Sequence, residues 1–237
     1  MSHTYFAERH REVFLPSLAV VILAIHMLGD GLTSILKLSE LAFLRTERSH
    51  TRFPQRLAFT LNNRIRRFIS PPERLISKLN IGPKDVVVDF GCGPGFFTVP
   101  LAEVAGKTIA VDASSQMLKR AASYAKSSGV MVEFMKSDGT EIRLGDESVD
   151  LILLNHVFHE VENRPIVLSE FMRIMRPAGR LVVVERTHGR SMFSGKLGPP
   201  IIDELEVTQE MERAGFAYVE TIPHGKDSII ISQKMAH

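Results

Sequence analysis

The stretch Val86-Val87-Val88-Asp89-Phe90-Gly91-Cys92-Gly93-Pro94-Gly95-Phe96-Phe97-Thr98 decides the fold. Its first five residues form a short apolar run, rich in valine, of the kind that makes a strand buried on both faces. Glycines at alternate positions then turn the chain into a helix. In an α/β sheet such a turn lies at the carboxyl edge of the strands, where ligands bind. Glycine supplies positive φ there and lets a ligand approach the backbone with no Cβ in the way. Any tight strand–helix connection favours glycine, so a purely structural turn is the plain alternative. Spacing narrows the ligand. A dinucleotide fingerprint needs Gly-x-Gly-x-x-Gly/Ala, and its last position here is Phe96, whose bulk would crowd the helix–strand contact. No Gly-Lys-Ser/Thr follows, so the loop is not a triphosphate cradle.

Outward from this loop, strand and helix signals alternate. Upstream, Pro71 to Asn80 reads as a short amphipathic helix with proline at its first positions, where a missing N–H costs nothing. Downstream, Phe97–Glu103 reads as helix, Thr108–Val111 as strand, and Gln116–Lys126 as helix capped by Ser114 or Ser115. Met131–Met135 and Val149–Leu154 read as strands. A helix follows over Pro165–Arg176, with Asn163 placed to cap it, and Pro177-Ala178-Gly179 ends it. Leu181–Glu185 is the fifth strand. Asp203–Ala214 reads as helix, Gly215 stops it, and Phe216–Ile222 with Ser228–Ser232 form a terminal hairpin. This alternation predicts an α/β fold with a doubly wound, mostly parallel sheet.

Two further acids sit where a nucleoside would want them. Asp112 ends the second strand about twenty residues beyond the glycines, a place from which a carboxylate can accept from both ribose hydroxyls. Asp138, after the third strand, could accept from an adenine amino group. Each alone reads more readily as a loop acid or a cap; their joint placement after consecutive strands favours the ligand.

The strand, Asp89-x-Gly91-x-Gly93-x-Gly95, Asp112, Asp138, Asn155-His156 and the segment EFMRIMRPAGRLVVVE together resemble the class I S-adenosylmethionine-dependent methyltransferases. The nearest flavour is the group with the ubiquinone/menaquinone-biosynthesis C-methyltransferases and many small-molecule methyltransferases. The resemblance covers about residues 71–234. It implies a Rossmann-like, seven-stranded sheet ending in an antiparallel hairpin, with S-adenosyl-L-methionine as cofactor. It further implies that Asp89 and the Gly91-Cys92-Gly93-Pro94-Gly95 loop hold the methionine part, Asp112 the ribose and Asp138 the adenine. On the same resemblance Ala113, Ser137, Gly139 and Asn155 would line the cofactor site. The Pro-Ala-Gly turn stands where the family usually has Pro-Gly-Gly.

Methyl transfer from a sulfonium asks the protein mainly to align the acceptor and exclude water, with a base only if the acceptor must lose a proton. The candidates are His156, His159 and Glu160, grouped by one helical turn after the fourth strand. The bland alternative is a buried, hydrogen-bonded histidine and a glutamate that opens a helix favourably. His-x-x-His plus Glu lacks a further ligand, so no metal is expected. Missing motifs constrain the acceptor. The stretch Asn155-His156-Val157-Phe158 is not the Asp/Asn-Pro-Pro-aromatic signature of base-amine methylation. The single cysteine, Cys92, sits in the glycine loop, which argues against pyrimidine C5 methylation, arsenite methylation and a disulfide scaffold. No paired-glutamate loop for protein arginine is present. A small-molecule or lipid- or quinone-like acceptor is left, with no DNA partner expected. The rivals are a nicotinamide-dependent oxidoreductase and a non-catalytic cofactor-binding protein.

The chain has 237 residues, 44% hydrophobic and 24% charged, with a formal net charge of +2. That suits a folded methyltransferase domain over 71–237 with a helical extension over 1–70. The average hides a split: residues 1–80 carry a net +6 and residues 81–237 a net −4. The front contains an apolar run, Val13 to Leu28, then Gly29-Asp30-Gly31, a more amphipathic stretch to Leu44, and a segment with Arg45, Arg48, Arg52, Arg56, Arg64, Arg66 and Arg67. The run would be about 24 Å long as a helix, short of a bilayer core of roughly 30 Å. It lacks a small-x-small cleavage site, so a secretory signal is not favoured. Three readings stay open, in falling order: a lid helix over the substrate pocket, an interfacial helix with residues 13–67 meeting a membrane surface, and arginines that bind RNA. A cytoplasmic chain, with contact to the cytoplasmic membrane face on the second reading, is expected.

Overall fold

The computed structural model describes residues 71–188 and 201–235. The expected extension over 1–70, its lid, membrane and RNA readings, and most of the link after Thr187 lie outside the described residues.

The described chain runs α1 (Glu73–Ile76), β1 (Val86–Phe90), α2 (Thr98–Val104), β2 (Lys107–Asp112), α3 (Ser115–Ser128), β3 (Glu133–Lys136) and β4 (Val149–Asn155). A 3-10 turn (Phe158–Glu160), α4 (Arg164–Ile174), β5 (Met175–Arg186), α5 (Glu204–Arg213), β6 (Phe216–His224) and β7 (Asp227–Lys234) follow. Seven strands form one sheet in the order β3-β2-β1-β4-β5-β7-β6. The first five are parallel, and β7 lies antiparallel between β5 and β6. The fold class and the terminal hairpin expected from the sequence are what the molecule has.

Alternate residues of each strand feed opposite layers, as the two-residue repeat requires. Val88, Phe90, Ile152, Leu154, Leu181 and Val183 pack with Phe171 of α4 and Met211 of α5. Val87, Leu151, Leu153, Val182 and Val184 pack with Leu75, Leu79 and Leu101 on the other face. Most of these side chains are fully buried.

Local differences from expectation have physical causes. Ser114 is the cap of α3, its hydroxyl accepting from Met117 N at 3.3 Å. Asn163 occupies the cap position of α4 without a side-chain hydrogen bond, and Pro165 sits in the first turn, where an N–H is dispensable. Pro177-Ala178-Gly179 does not lie outside the fifth strand. The strand begins at Met175 and absorbs that turn through a register shift opposite Val149–Leu151, with Ala178 at φ 63°.

The winding reverses between β1 and β4. A crevice opens at such a switch point, outside the carboxyl ends of the strands. The residues at that edge are Gly91 after β1, Asp112 ending β2, Ser137 after β3, Asn155 and His156 at β4, and Glu185 and Arg186 ending β5. Because β7 runs antiparallel, its first residue, Asp227, arrives at the same edge opposite Arg186.

Candidate functional site

The glycine loop is fastened to its neighbours through backbone. Gly91 N and Cys92 N both donate to Val111 O of β2, at 2.8 and 3.0 Å. Gly91 holds φ +69°, and a Cβ built on it would lie 2.5 Å from both Val157 methyl carbons. The loop therefore lies hard against the segment that carries His156 and His159. Gly93 differs: at φ +53°, a Cβ on it would meet no atom of the described residues within 4 Å. One glycine closes the loop onto protein, and the other opens toward space that a ligand can enter.

Asp112 organises this opening. Its Oδ2 accepts from Gly93 N at 2.9 Å and its Oδ1 from Ser114 N at 2.7 Å. Both donors are backbone N–H groups, so this carboxylate ties the glycine loop to the start of α3. Its neighbour Ala113 is half-buried. Ser137 N donates to Asp112 O at 3.3 Å, which ties the turn after β3 to the same place. In that turn Gly139 N donates to Ser137 Oγ at 2.9 Å. Gly139 presses on β1, a Cβ there falling 2.7 Å from Phe90 Cζ. Asp138 is exposed, and its Oδ1 accepts from Thr140 N and Thr140 Oγ1 at 3.1 and 2.7 Å.

Asp89 lies beneath the loop, 3% exposed, and accepts from Thr98 Oγ1 at 2.5 Å. Burial pushes its carboxyl up to about 7; the Thr98 hydrogen bond opposes the shift, and the Asp112 charge adds to it. Cys92 is buried, and burial with the two nearby carboxylates drives its thiol further up, away from nucleophilic chemistry.

A second group assembles at the ends of β4, β5 and β7. Glu185 is fully buried. Its Oε1 accepts from His159 N at 3.2 Å, and its two oxygens lie 3.1 and 3.0 Å from His159 Nδ1. His156 Nε2 is 3.3 Å from Asp227 Oδ2, and its Nδ1 faces Glu185 Oε2 at 3.7 Å. The second separation is an ion-pair contact rather than a hydrogen bond, and His156 Nδ1 is buried with no hydrogen-bond partner. Burial works against the charge on His156, but hydrogen bonding and attraction from Asp227 and Glu185 prevail and carry it up to about 9. Burial likewise opposes ionisation of Glu185, and the two histidines overcome it, bringing it down to about 2. His156 also holds φ 55°, an uncommon conformation for a residue with a Cβ, while its N–H donates to Val184 O at 2.9 Å. Glu160 approaches His159 Nε2 no closer than 3.8 Å.

All the sequence-chosen residues thus fall on one edge of the sheet. Gly91, Cys92, Gly93 and Gly95 make the loop, Asp89 lies beneath it, Asp112 and Ala113 adjoin it, and Ser137, Asp138 and Gly139 belong to the turn that Ser137 ties to Asp112. Asn155, paired with Val184, leads into His156, His159 and Glu160. Glu185 and Asp227 were not among them. The signal for Glu185 is a carboxylate ending an otherwise apolar strand, LVVVE; Asp227 carries no comparable local signal. The described residues contain no group of His, Cys, Asp and Glu arranged to hold a metal ion.

Comparison with known proteins gives a consistent picture. The family described as a methyltransferase domain matches residues 88–183. A demethylmenaquinone methyltransferase of Mycobacterium bovis is 34% identical over 109 residues, covering 46% of this chain and 44% of that protein. A ubiquinone biosynthesis O-methyltransferase of Rickettsia felis is 29% identical over 111 residues, covering 47% of this chain and 45% of its own length. The chain spans under half the length of these curated relatives. Among solved structures, an S-adenosylmethionine-dependent methyltransferase from Aquifex aeolicus superposes with a TM-score of 0.69 at 25% identity. That likeness covers 77% of this chain and 99% of the other.

Proposed function

We propose that this chain, as a member of the class I S-adenosylmethionine-dependent methyltransferases, transfers a methyl group from S-adenosyl-L-methionine to a small-molecule or lipid- or quinone-like acceptor. The observation that carries the reading is the pairing of Gly93, open above its backbone, with Asp112, which grips the Gly93 N–H and ends β2. Asp89 and the Gly91–Gly95 loop would hold the methionine moiety, Asp112 with Ala113 the ribose, and Ser137, Asp138, Gly139 and Asn155 the adenine side. The bound cofactor supplies an electrophilic methyl group on a sulfonium.

The chain's own residues do the rest. Asp89, once ionised, offers a buried negative charge to a cationic ligand, where attraction is strong because water is excluded. Val157, wedged against Gly91, keeps the acceptor-side segment in register with the loop. His156, His159 and Glu160 form the floor on which an acceptor would rest. The quinone-like class takes support from the quinone-biosynthesis relatives, and the lipid-like class from the apolar front of the chain.

The test is transfer of radiolabelled methyl from S-adenosyl-L-methionine into a lipid and quinone extract, with products separated by solvent partition. Label should enter an organic-soluble product. Absence of transfer, with the cofactor still bound, would point instead to a cofactor-binding protein without turnover.

A further inference from the structure

The sheet face that packs on α1 changes from apolar to charged where the strands end. Residues directly opposite on neighbouring strands share a face. The row Val184, Ile229 and Ile222 lies in the layer with Leu75 and Leu79. Two residues further along, on the same face, the row is Arg186, Asp227 and His224. Asp227 Oδ2 lies 3.3 Å from His156 Nε2. Arg186 Nε is buried and has no hydrogen-bond partner among the described residues. A buried N–H of that kind is costly and calls for an acceptor. The backbone around it is fixed. Ile202 N donates to Arg186 O at 2.9 Å, and Thr187 N and His188 N donate to Lys226 O at 3.2 and 3.1 Å. Lys226 is thereby held beside the row. Arg74 in α1 and Lys78 just after it are exposed, and Lys78 Nζ donates to Pro223 O at 3.1 Å. His224 registers their field: burial lowers its pKa first, the charges of Lys78 and Arg74 lower it further, and Asp227 opposes them. Glu73 of α1 is the other acid at this corner. Arg74, Lys78, Arg186 and Lys226 together make the corner positive.

We propose that Arg186 anchors an oxyanion, a carboxylate or a phosphate, carried by the methyl acceptor, and that Arg74, Lys78 and Lys226 form the electropositive rim that guides it in. This rests on the methyltransferase reading above and narrows its acceptor to one with an acidic group. A guanidinium presents its N–H groups in a planar fork that matches carboxylate and phosphate oxygens, where a lysine offers a point charge. Rim charges in solvent contribute long-range attraction more than affinity. A neutral carbonyl would satisfy Arg186 Nε but gain little from the three rim cations. The place agrees with the role. The row ends beside His156, and the next residue, Val157, packs on the glycine loop. The anchor thus adjoins the acceptor side of the crevice without belonging to the cofactor cradle. An oxyanion engaged by a guanidinium has its electron pairs committed to hydrogen bonds, so the atom that takes the methyl group is elsewhere on the acceptor.

Nitrogen-15 NMR of the arginine Nε–H groups in the full chain, with S-adenosylhomocysteine bound, tests the anchor without turnover. The Arg186 signal is the one lost in Arg186→Lys. Benzoate and phenyl phosphate are the probes, and benzamide is the neutral control. At least one of the two anions should shift the Arg186 signal and saturate at millimolar concentration. Benzamide should bind at least about tenfold more weakly, since it lacks the charge that strengthens the pair. The anion that binds more tightly identifies the acidic group of the acceptor. Calorimetric titration of the same anions should show Arg186→Lys, which keeps the charge and loses the fork, weakened by about tenfold, and Arg186→Met without measurable binding. Both variants should keep S-adenosylhomocysteine affinity within about twofold of wild type, as expected of a residue outside the cofactor cradle. Lys226→Gln should weaken the anions only about two- to threefold, and less in high salt, as a screened rim charge does. The proposal is overturned if neither anion moves the Arg186 signal, if benzamide binds as well as benzoate, or if Arg186→Lys binds the anions as wild type does. Failure of the wild-type chain to bind S-adenosylhomocysteine would instead remove the underlying methyltransferase reading, and the anion titration would still report on Arg186.

Discussion

At Asp89, burial favours the neutral acid, Thr98 favours the anion, and Asp112 again favours the acid, leaving the group titrating at about 7. A cationic ligand above the loop must shift that balance toward the anion. S-adenosylmethionine should therefore bind more tightly as pH rises through about 7, releasing up to one proton below it, which calorimetry in buffers of different ionisation enthalpy would register. Thr98→Val removes the one influence that favours the anion, so the midpoint of the affinity profile should move to higher pH. A flat profile for wild type would mean that Asp89 is not in the cofactor's field. The residues legible in the sequence were those whose meaning is local: Asp112 follows its strand, and the glycines define their own turn. Glu185 and Asp227 acquire their roles only when β5 and β7 pair and bring Arg186 opposite Asp227. Their distance in sequence from His156 hid them.

At the scale of elements, the glycine turn makes a graded prediction. Gly93→Ala forces a left-handed alanine but meets no neighbour among the described residues, so it should cost roughly 1–2 kcal/mol of stability. Gly91→Ala adds a collision with Val157 at 2.5 Å and should cost more, about 3 kcal/mol or above, in denaturant unfolding. On the proposed placement of the cofactor above Gly93, its affinity should show the reverse order per unit of stability lost. Strands β1, β2 and β4 were legible almost to the residue, since buried parallel strands are written as unbroken apolar runs. The start of β5 was not. Pro177, Ala178 and Gly179 look like a turn, and only pairing with β4 across a register shift draws them into the strand. Asn163 shows the same limit: it holds the cap position, but Pro165 and the backbone leave its side chain no capping bond.

For the whole molecule, the displaced groups set the pH dependence of stability. Asp89, raised from 3.8, stabilises the fold only while protonated; its contribution is full below 3.8 and lost as pH rises through about 7. His156, raised from 6.5, contributes fully below 6.5 and loses that contribution as pH rises through about 9, on the order of 3 kcal/mol. Glu185, lowered from 4.5, contributes above 4.5 and loses it as pH falls through about 2. Ligand-free chain should thus lose stability stepwise between about pH 4 and pH 9 in urea unfolding. Asp89→Asn should flatten the lower step and Asp227→Asn the upper one; unchanged steps would contradict the assignment. The front of the chain carries its own test. If residues 13–67 meet a membrane surface, the full chain should float with anionic liposomes and detach as salt rises, because attraction between arginines and headgroups is screened. A lid without membrane contact leaves the chain at the bottom of the gradient in every salt.

The split of charge along the chain, a net +6 over residues 1–80 and −4 beyond, agrees with an acidic core built for a cationic cofactor. That core is the central claim, and direct calorimetric titration with S-adenosylmethionine, S-adenosylhomocysteine and NADH tests it most plainly. Both sulfur nucleosides should bind at micromolar concentration, NADH should not, and Asp112→Ala should weaken binding by about 10- to 100-fold, the scale of a lost hydrogen bond to a charged group. No binding of either sulfur nucleoside, or affinity unchanged by Asp112→Ala, would contradict the account.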